Sequence, residues 1–361
     1  MNNEAKKLNF HIVPAKATEY PKPIEEKISG KEYVFFGKDN LYPLFLSDLY
    51  ENSATLAACI DSLTDYVFAH GITDEDKGQQ IVNKNKETFD EILKLAVNDY
   101  IAYGAFALQM IGNDYGEVVE IYYIDVRKVR LSEDGKKVYF NKENWAKFNR
   151  KTTTYERFRG TEKTKNCIFY YKRPQSKSFY GLPLWFPALK HVMTDTEIAN
   201  FHHSAITNNF APSVIISFNN GVPSEEIQDQ IEEKLTQKFV GTDNAARFIV
   251  TYNEDKEHAT DLLRLTEDNF DQKYDALSKT TRDNILAAFR VSSALVGIMP
   301  QQTGFNSVEY ESAFKLYKET VVKPLQQEIE SALKRVGIEI EFSEFVVKFD
   351  ESQPETDEVN G

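Results

Sequence analysis

Three groupings of polar residues have the types and spacing to do chemistry. His191, Asp195 and His202 lie at i, i+4 and i+11 of a helical stretch, on one face, an arrangement that can offer ligands to a metal ion. No HExxH and no supporting second carboxylate accompanies them. A polar face turned to solvent or to a neighbouring subunit therefore explains them better, and no metal is expected. Paired acids, Glu25-Glu26, Glu225-Glu226, Glu232-Glu233 and Glu254-Asp255, could do acid–base work if an apolar pocket raised one carboxyl. Glu225-Glu226 instead falls in a first helical turn, where the macrodipole favours negative charge, and the others alternate with lysines. Basic residues beside aromatics, YERFRG at 155–160 and FYYKRP at 169–174, could stack on bases. Aromatics suit a half-buried strand equally well. The phosphate-cradling G-x-x-x-x-G-K-[ST] and G-x-G-x-x-G loops are absent, and so is the G-x-S-x-G elbow. No catalytic residue, cofactor or metal is expected from these patterns.

Composition narrows the classes further. The 361 residues carry 43 Lys+Arg against 56 Asp+Glu, a formal charge of −13, with 25 Phe and 19 Tyr. The aromatic content is that of a globular protein. The acidic balance disfavours a tight sequence reader of DNA or an anionic-membrane binder. Cys59 and Cys167 stand apart without a CxxC, which excludes a disulfide scaffold and a cysteine zinc ribbon. The start, MNNEAKKLNF, has no apolar signal core, and the most apolar stretch, residues 100–112, is too short to span a bilayer. A soluble protein of a reducing cytoplasm is the expectation.

The elements that would position these groups are legible as periodicities. Residues 1–32 are polar with Pro14, Pro21 and Pro23, an extended arm. Leu56, Ile60, Leu63 and Val67 predict a helix closed by Gly71, and Phe89, Leu93, Ala96, Val97 and Tyr100 a second over about 86–103. Alternating stretches broken by Asn113-Asp114, Gly116 and Asp134-Gly135 predict a meander of hairpins up to about residue 172. After Gly181-Leu182-Pro183 a helix runs to Phe210 and stops at Ala211-Pro212. A β-α-β insert follows: SVIISF, a helix capped by Ser224 with Ile227, Ile231, Leu235 and Phe239, then RFIVTY, closed by an extended HATDLLRL. The helical period resumes from about 267 to Gly297. GIMPQQTGFNS breaks it, and Asn306 with Glu309 opens a last helix kinked at Pro324. VGIEIEFSEFVVKF reads as one or two strands returning to the first unit, before an acidic tail. The fold class is α+β: two long helices flank a small insert as a rod, which a ring has reason to project because neighbouring rods bury the stripes one chain exposes.

Four stretches in this order resemble the portal proteins of tailed bacteriophages, nearest to the compact HK97-like and PBSX-type branch. They are SATLAACIDSLTDYVFAHG, YIAYGAFALQMIGNDYGEVVEIYYIDVRKVRL, YGLPLWFPALKHVMTDTEIANFHHSAITNNFAPSVIISF and FRVSSALVGIMPQQTGFNSVEYESAFKLYKETVVKPLQQEIESAL, together spanning about residues 50–336. The resemblance implies a wing at 33–182, stem helices at 183–210 and 267–297, and a clip at 211–266. It further implies a tunnel loop at 298–306, a long kinked helix at 307–336, and a short strand region with an acidic tail at 337–361. The implied function is a non-enzymatic ring of twelve copies at one capsid vertex, assembled in the host cytoplasm and carried in the virion. Double-stranded DNA would be packaged and ejected through it. The implied partners are the terminase large subunit, head–tail adaptor proteins, and the major capsid or scaffolding protein, with no membrane. Met299, Pro300, Gln301, Gln302, Thr303, Gly304, Phe305 and Asn306 would approach DNA, with Gly297 and Pro324 as hinge and kink. Glu225, Glu226, Asp229, Glu232 and Glu233 would receive a docking partner.

Two departures accompany the resemblance. Many relatives have a proline pair where this chain has Ser292-Ser293-Ala294, so the turn into the loop would begin later, and little sequence remains for a helical crown. The charge is uneven: the last 24 residues hold eight acids and one lysine, the clip ten acids and five bases, and the loop none of either. The competing readings are a monomeric metal-dependent hydrolase or nuclease using clustered carboxylates, and a different ring-forming connector.

Overall fold

The computed structural model describes residues 20–143, 145, 152–160, 165–207, 214–218, 223–224, 226–231, 234, 248–252, 270–298 and 307–346. Strand β1 (Glu25–Lys27) pairs antiparallel with β2 (Val34–Phe36), so the end of the proline-rich arm is a hairpin strand. Helix α1 (Tyr42–Asn52) runs into α2 (Ala54–Phe68), whose N-cap Ser53 Oγ accepts from Leu56 N at 3.2 Å. The expected apolar stripe of α2 is buried. Its cap, however, is Ala69 at φ 52°, two residues before Gly71. After a single turn, α3 (Glu75–Gly78), α4 (Phe89–Tyr103) opens on a Thr88–Glu91 capping box. That reciprocal pair fixes the start three residues later than apolar spacing suggests.

The sheet corrects the expected meander. Strands β3 (Ala105–Gly112), β4 (Val118–Ile124), β5 (Val129–Leu131), β6 (Lys137–Asn141), β7 (Thr152–Arg157) and β8 (Asn166–Lys172) lie in the order β4-β3-β8-β7-β6-β5. β8 does not return as a hairpin beside β7. It pairs antiparallel with β3 over seven positions and parallel with β7 at Glu156↔Cys167 and Arg157↔Ile168. Burial explains the placement: Cys167–Tyr170 in β8 and Ala105–Leu108 in β3 are continuously buried, so neither alternates as an edge strand does.

The following helix is shorter than expected. A 3-10 turn (Phe186–Ala188) precedes α5 (Leu189–Thr207), because Pro183 and Pro187 cannot stand inside a helix. The stop at Ala211-Pro212 lies outside the described residues. In the insert, β9 (Val214–Phe218) and β10 (Phe248–Tyr252) pair in parallel over five positions, with helical residues 226–231 (α6) between them. Parallel neighbours require such a crossover. The Ser224 carbonyl accepts from Ile227 N and Gln228 N at 2.9 and 3.0 Å, opening α6. HATDLLRL lies outside the described residues.

Helix α7 (Phe270–Phe289) ends eight residues before Gly297. Arg290 takes φ 55°, and Val291 N donates back to Leu286 O at 3.1 Å. This is a left-handed helix end of the kind glycine usually makes. Val291 and Leu295 are buried, so the chain turns back onto the core and makes a second, 3-10 turn (Ser293–Val296) that closes on Gly297. Helix α8 (Ser307–Tyr317) continues through a π-helical segment (Lys318–Val322) into α9 (Lys323–Lys334). Pro324 stands just after the π segment in this continuous helix, where the wider turn accommodates its ring and its missing N–H. The Asn306–Glu309 pair is outside the residues described in side-chain detail. Residues 338–346 return to the first unit but form only one bridge, Ile72↔Phe342, instead of a strand. Thr73 N donates to Glu341 O at 2.8 Å and Ser343 N to Gly71 O at 2.9 Å, while the Phe342 amide, facing the other way, is taken by Glu330 Oε1 at 2.9 Å. One apolar cluster joins α2, α4, β3 and β8 to Trp185, Val192, Ile285 and Phe289.

Candidate functional site

α5 and α7 lie side by side and antiparallel. Late in α5, Phe201 stacks on Tyr274, early in α7, at 5.0 Å and 29°, and His202 meets the same ring edge-on at 5.0 Å. At the other end Trp185, Val192, Ile285 and Phe289 are fully buried. Distally, Phe201 and Leu277 are 44% and 45% exposed. The pair is thus seated in the core at its base and exposes two large apolar side chains among polar ones on its outer half. Asp195 Oδ2 accepts from Ser53 Oγ at 2.7 Å, which ties α5 to the α1–α2 junction. Two members of the candidate metal trio therefore have other partners, Asp195 with Ser53 and His202 with Tyr274. Among the described residues no cluster of three metal-capable side chains occurs.

The two feet of the 299–306 segment converge on one side chain that the sequence reading had not singled out. The buried Tyr66 hydroxyl of α2 donates to Leu295 O at 2.6 Å, in the turn before the segment. Its ring packs 5.7 Å from Phe314 and 6.0 Å from Tyr317 in α8, after the segment, and 5.0 Å from Phe345. Tyr310 adds a side-chain hydrogen bond. Burial, followed by the neighbouring Tyr310, pushes the phenol well above its usual range, so it remains a donor at neutral pH. The only sequence signal was a tyrosine three residues past Leu63 on the buried stripe of α2. At Gly297, φ is 78° and a Cβ would meet nothing within 4 Å, so the constraint there is torsional. Met299, Pro300, Gln301, Gln302, Thr303, Gly304, Phe305 and Asn306 lie outside the described residues. So do Glu225, Glu232 and Glu233, whereas Glu226 and Asp229 are exposed.

Several of the other chemical candidates are absorbed by structure, and Glu254-Asp255 lies outside the described residues. Glu25 accepts from Phe179 N and Tyr180 N, both at 2.7 Å. Arg157 bonds Tyr170 O at 2.9 Å and lies over the Tyr170 ring, and Arg335 lies over Tyr171. The basic–aromatic stretches thus pair internally at these positions. One carboxyl is strongly displaced: burial, with the charge of Asp125 adding, pushes Asp99 up to about 8. It is 4% exposed and accepts from Tyr123 Oη and Val126 N at 2.8 and 3.1 Å, a buried strut with no opening to a substrate. An open groove of about 470 Å³ beside Lys77, Lys334 and Glu339 has no histidine or cysteine in its lining. Among the described residues no helix is long and apolar enough to cross a membrane.

Comparison with known proteins agrees with this arrangement. The family model described as phage portal protein matches residues 82–358. A probable portal protein of Haemophilus phage HP1 (strain HP1c1) is 19% identical over 247 residues, 68% of each chain. A chain of the neck of a native gene transfer agent particle, computed with C12 symmetry, superposes with TM-score 0.55 at 15% identity, covering 87% of this chain and 86% of that one. An HK97 family phage portal protein from Corynebacterium diphtheriae gives TM-score 0.51 at 14% identity, covering 82% and 94%. Those identities speak for the fold, and the family match, which spans most of the sequence, speaks for membership: the chain belongs to the phage portal protein family.

Proposed function

We propose that this chain forms a closed ring, of twelve copies by analogy with the C12 neck, at one vertex of a phage capsid, and that double-stranded DNA passes through it during packaging and ejection. The observation that carries this reading is the antiparallel α5–α7 pair, buried at its base and exposing Phe201 and Leu277 on its outer half, in a chain of the portal family. Such a face is satisfied by the same helices of neighbouring copies. In this reading residues 183–210 and 267–297 are the stem and 33–182 the wing, which would meet the capsid or scaffolding protein. The clip, 211–266, would present Glu225, Glu226, Asp229, Glu232 and Glu233 to the terminase large subunit and later to head–tail adaptors. The ring would be assembled in the host cytoplasm and retained in the virion.

The ring would act as a passive conduit with no bond-making step. DNA carries one charge per ~1.7 Å of axis, so a wall of lysine and arginine would hold it instead of letting it move. Residues 299–306 contain no Lys, Arg, Asp or Glu. Gln301, Gln302, Thr303 and Asn306 would make short polar contacts, and Gly297 would let each loop swing independently. Deleting Pro300–Phe305 should leave ring assembly intact and reduce the yield of DNA-filled particles at least tenfold. The readout is ring formation by native mass spectrometry together with packaged DNA protected from nuclease. Loss of assembly, or normal DNA content in particles built from deleted rings, would remove the loop from the mechanism.

A further inference from the structure

We infer that Arg157, Arg159 and Lys172 form an oxyanion site on the sheet, and that its occupant is a carboxylate from an acidic segment of a protein partner. The inference stands on the sheet alone and does not depend on the ring. The two basic–aromatic stretches supply the site, but not as base-stacking platforms. Phe158, Phe169 and Tyr170 are buried, and Tyr171 lies under Arg335, so a base finds few faces to stack on. The cations come together instead. Arg157 Nη1 and Arg159 Nη2 donate to the same carbonyl, Gly135 O, at 3.4 and 2.9 Å, which sets the two guanidiniums side by side. Arg157 Nη2 donates to Tyr170 O at 2.9 Å, and its guanidinium lies over the Tyr170 ring. Two residues further along β8, Lys172 Nζ donates to Ser176 O at 3.5 Å and to Ser178 O.

Each of these partners is neutral, and among the described residues none of the three cations makes an ion pair. The acids close by are committed elsewhere. Glu25 accepts the Phe179 and Tyr180 amides, Asp134 accepts from Ser132 Oγ and Lys136 N, and Glu133 pairs with Lys27. Glu156 alternates to the other face of β7, opposite Lys137. The crowding shows in the titration. Burial, with the charge of Arg159 adding, lowers the Arg157 guanidinium, and burial, with Arg157 adding, lowers Lys172 against the pull of Glu25. Partly desolvated cations without a counter-charge are stabilised by an anion that supplies one. Of the five N–H groups on each guanidinium, Arg157 uses two and Arg159 one, so donors remain in the fork geometry that fits a carboxylate. A DNA duplex, with a charge every ~1.7 Å of axis, is met by a long run of cations, whereas this cluster is compact.

Fluorescence anisotropy on the full-length protein tests this, with a labelled polyglutamate peptide as the probe and a polyglutamine peptide of equal length as the neutral control. The salt is about 0.1 M, where charges more than ~10 Å away are largely screened and the local cluster decides what docks. Wild type should bind polyglutamate and not polyglutamine. Arg159→Gln, at an exposed position, should weaken binding about tenfold, the loss expected for a hydrogen bond to a charged group. Arg157→Gln combined with Arg159→Gln should abolish it. Lys94→Gln removes an exposed cation already paired with Asp65 and should bind as wild type does. Melting curves check that each variant is folded, and Arg159→Gln alone carries the comparison if the double variant is not. A labelled short DNA duplex is the second arm. No binding of polyglutamate, equal binding by wild type and Arg159→Gln, or an equal loss in Lys94→Gln would each overturn the inference. So would a duplex that binds more tightly than the peptide and is released by the same substitutions, since the occupant would then be nucleic acid.

Discussion

Gly181→Ala is expected to abolish soluble, folded protein. A Cβ at 181 would lie 2.1 Å from the carbonyl oxygen of Gly104 and 2.6 Å from its carbon. The approach is reciprocal: a Cβ at Gly104 would lie 2.2 Å from the carbonyl oxygen of Leu182, with φ already at 76°. Both obstacles are backbone, so no rotamer change relieves them. The Gly104 carbonyl is also held by Arg173 N at 2.9 Å, and Gly181 N by Tyr170 Oη at 3.4 Å. The end of α4 and the turn leading to α5 are thus locked face to face. Forcing a methyl between them should cost at least ~3 kcal/mol, the upper range for overpacking where nothing can yield. Gly297→Ala is the control, because its added Cβ meets nothing within 4 Å and only the left-handed torsion, about 1 kcal/mol, is lost. Thermal melting of the two variants decides the matter: a Gly181→Ala protein melting within a few degrees of wild type would refute the backbone lock.

Trp185→Ala should be nearly as damaging, and for a different reason. Trp185 is fully buried at the base of the α5–α7 pair, in the cluster with Leu189, Val192, Ile285 and Phe289. Removing a buried tryptophan side chain costs about 3–5 kcal/mol, and here the cavity would open under both long helices at once. Phe201→Ala gives the contrast. Phe201 is 44% exposed in the single chain, so its loss should cost less than ~1 kcal/mol in a monomer and weaken association between copies instead. Chemical denaturation of monomer and ring measures both. Equal losses for the two variants in the monomer would mean that the outer half of the pair is core and that no neighbour is needed to cover it.

The helices and the β-α-β insert were legible because their periods are local. The stripe of α2 follows from side-chain spacing, and the parallel pairing of β9 with β10 is what the structure adds to the strand–helix–strand order. The position of β8 was not legible, since pairing partners depend on burial from both sides and not on the strand's own alternation. The end of α7 was hidden for a chemical reason: Arg290 takes the left-handed position where glycine is the usual sign, so the reading ran on to Gly297. Residues 338–346 carry a strand-like pattern, yet pair with the first unit only at the Ile72↔Phe342 bridge. The Tyr66 cluster was invisible because its other members, Leu295, Phe314 and Phe345, lie 229, 248 and 279 positions away. The −13 charge, which first argued against handling nucleic acid, concentrates in the tail and the clip and leaves 299–306 uncharged.

The most direct test of the central claim is electron microscopy of the purified full-length protein. Closed rings with a central channel are expected, with rotational symmetry at or close to twelve-fold and the α5–α7 pairs packed against those of neighbouring copies around it. A protein that remains a monomer at every concentration, or a ring whose α5–α7 pairs point away from one another, would contradict it.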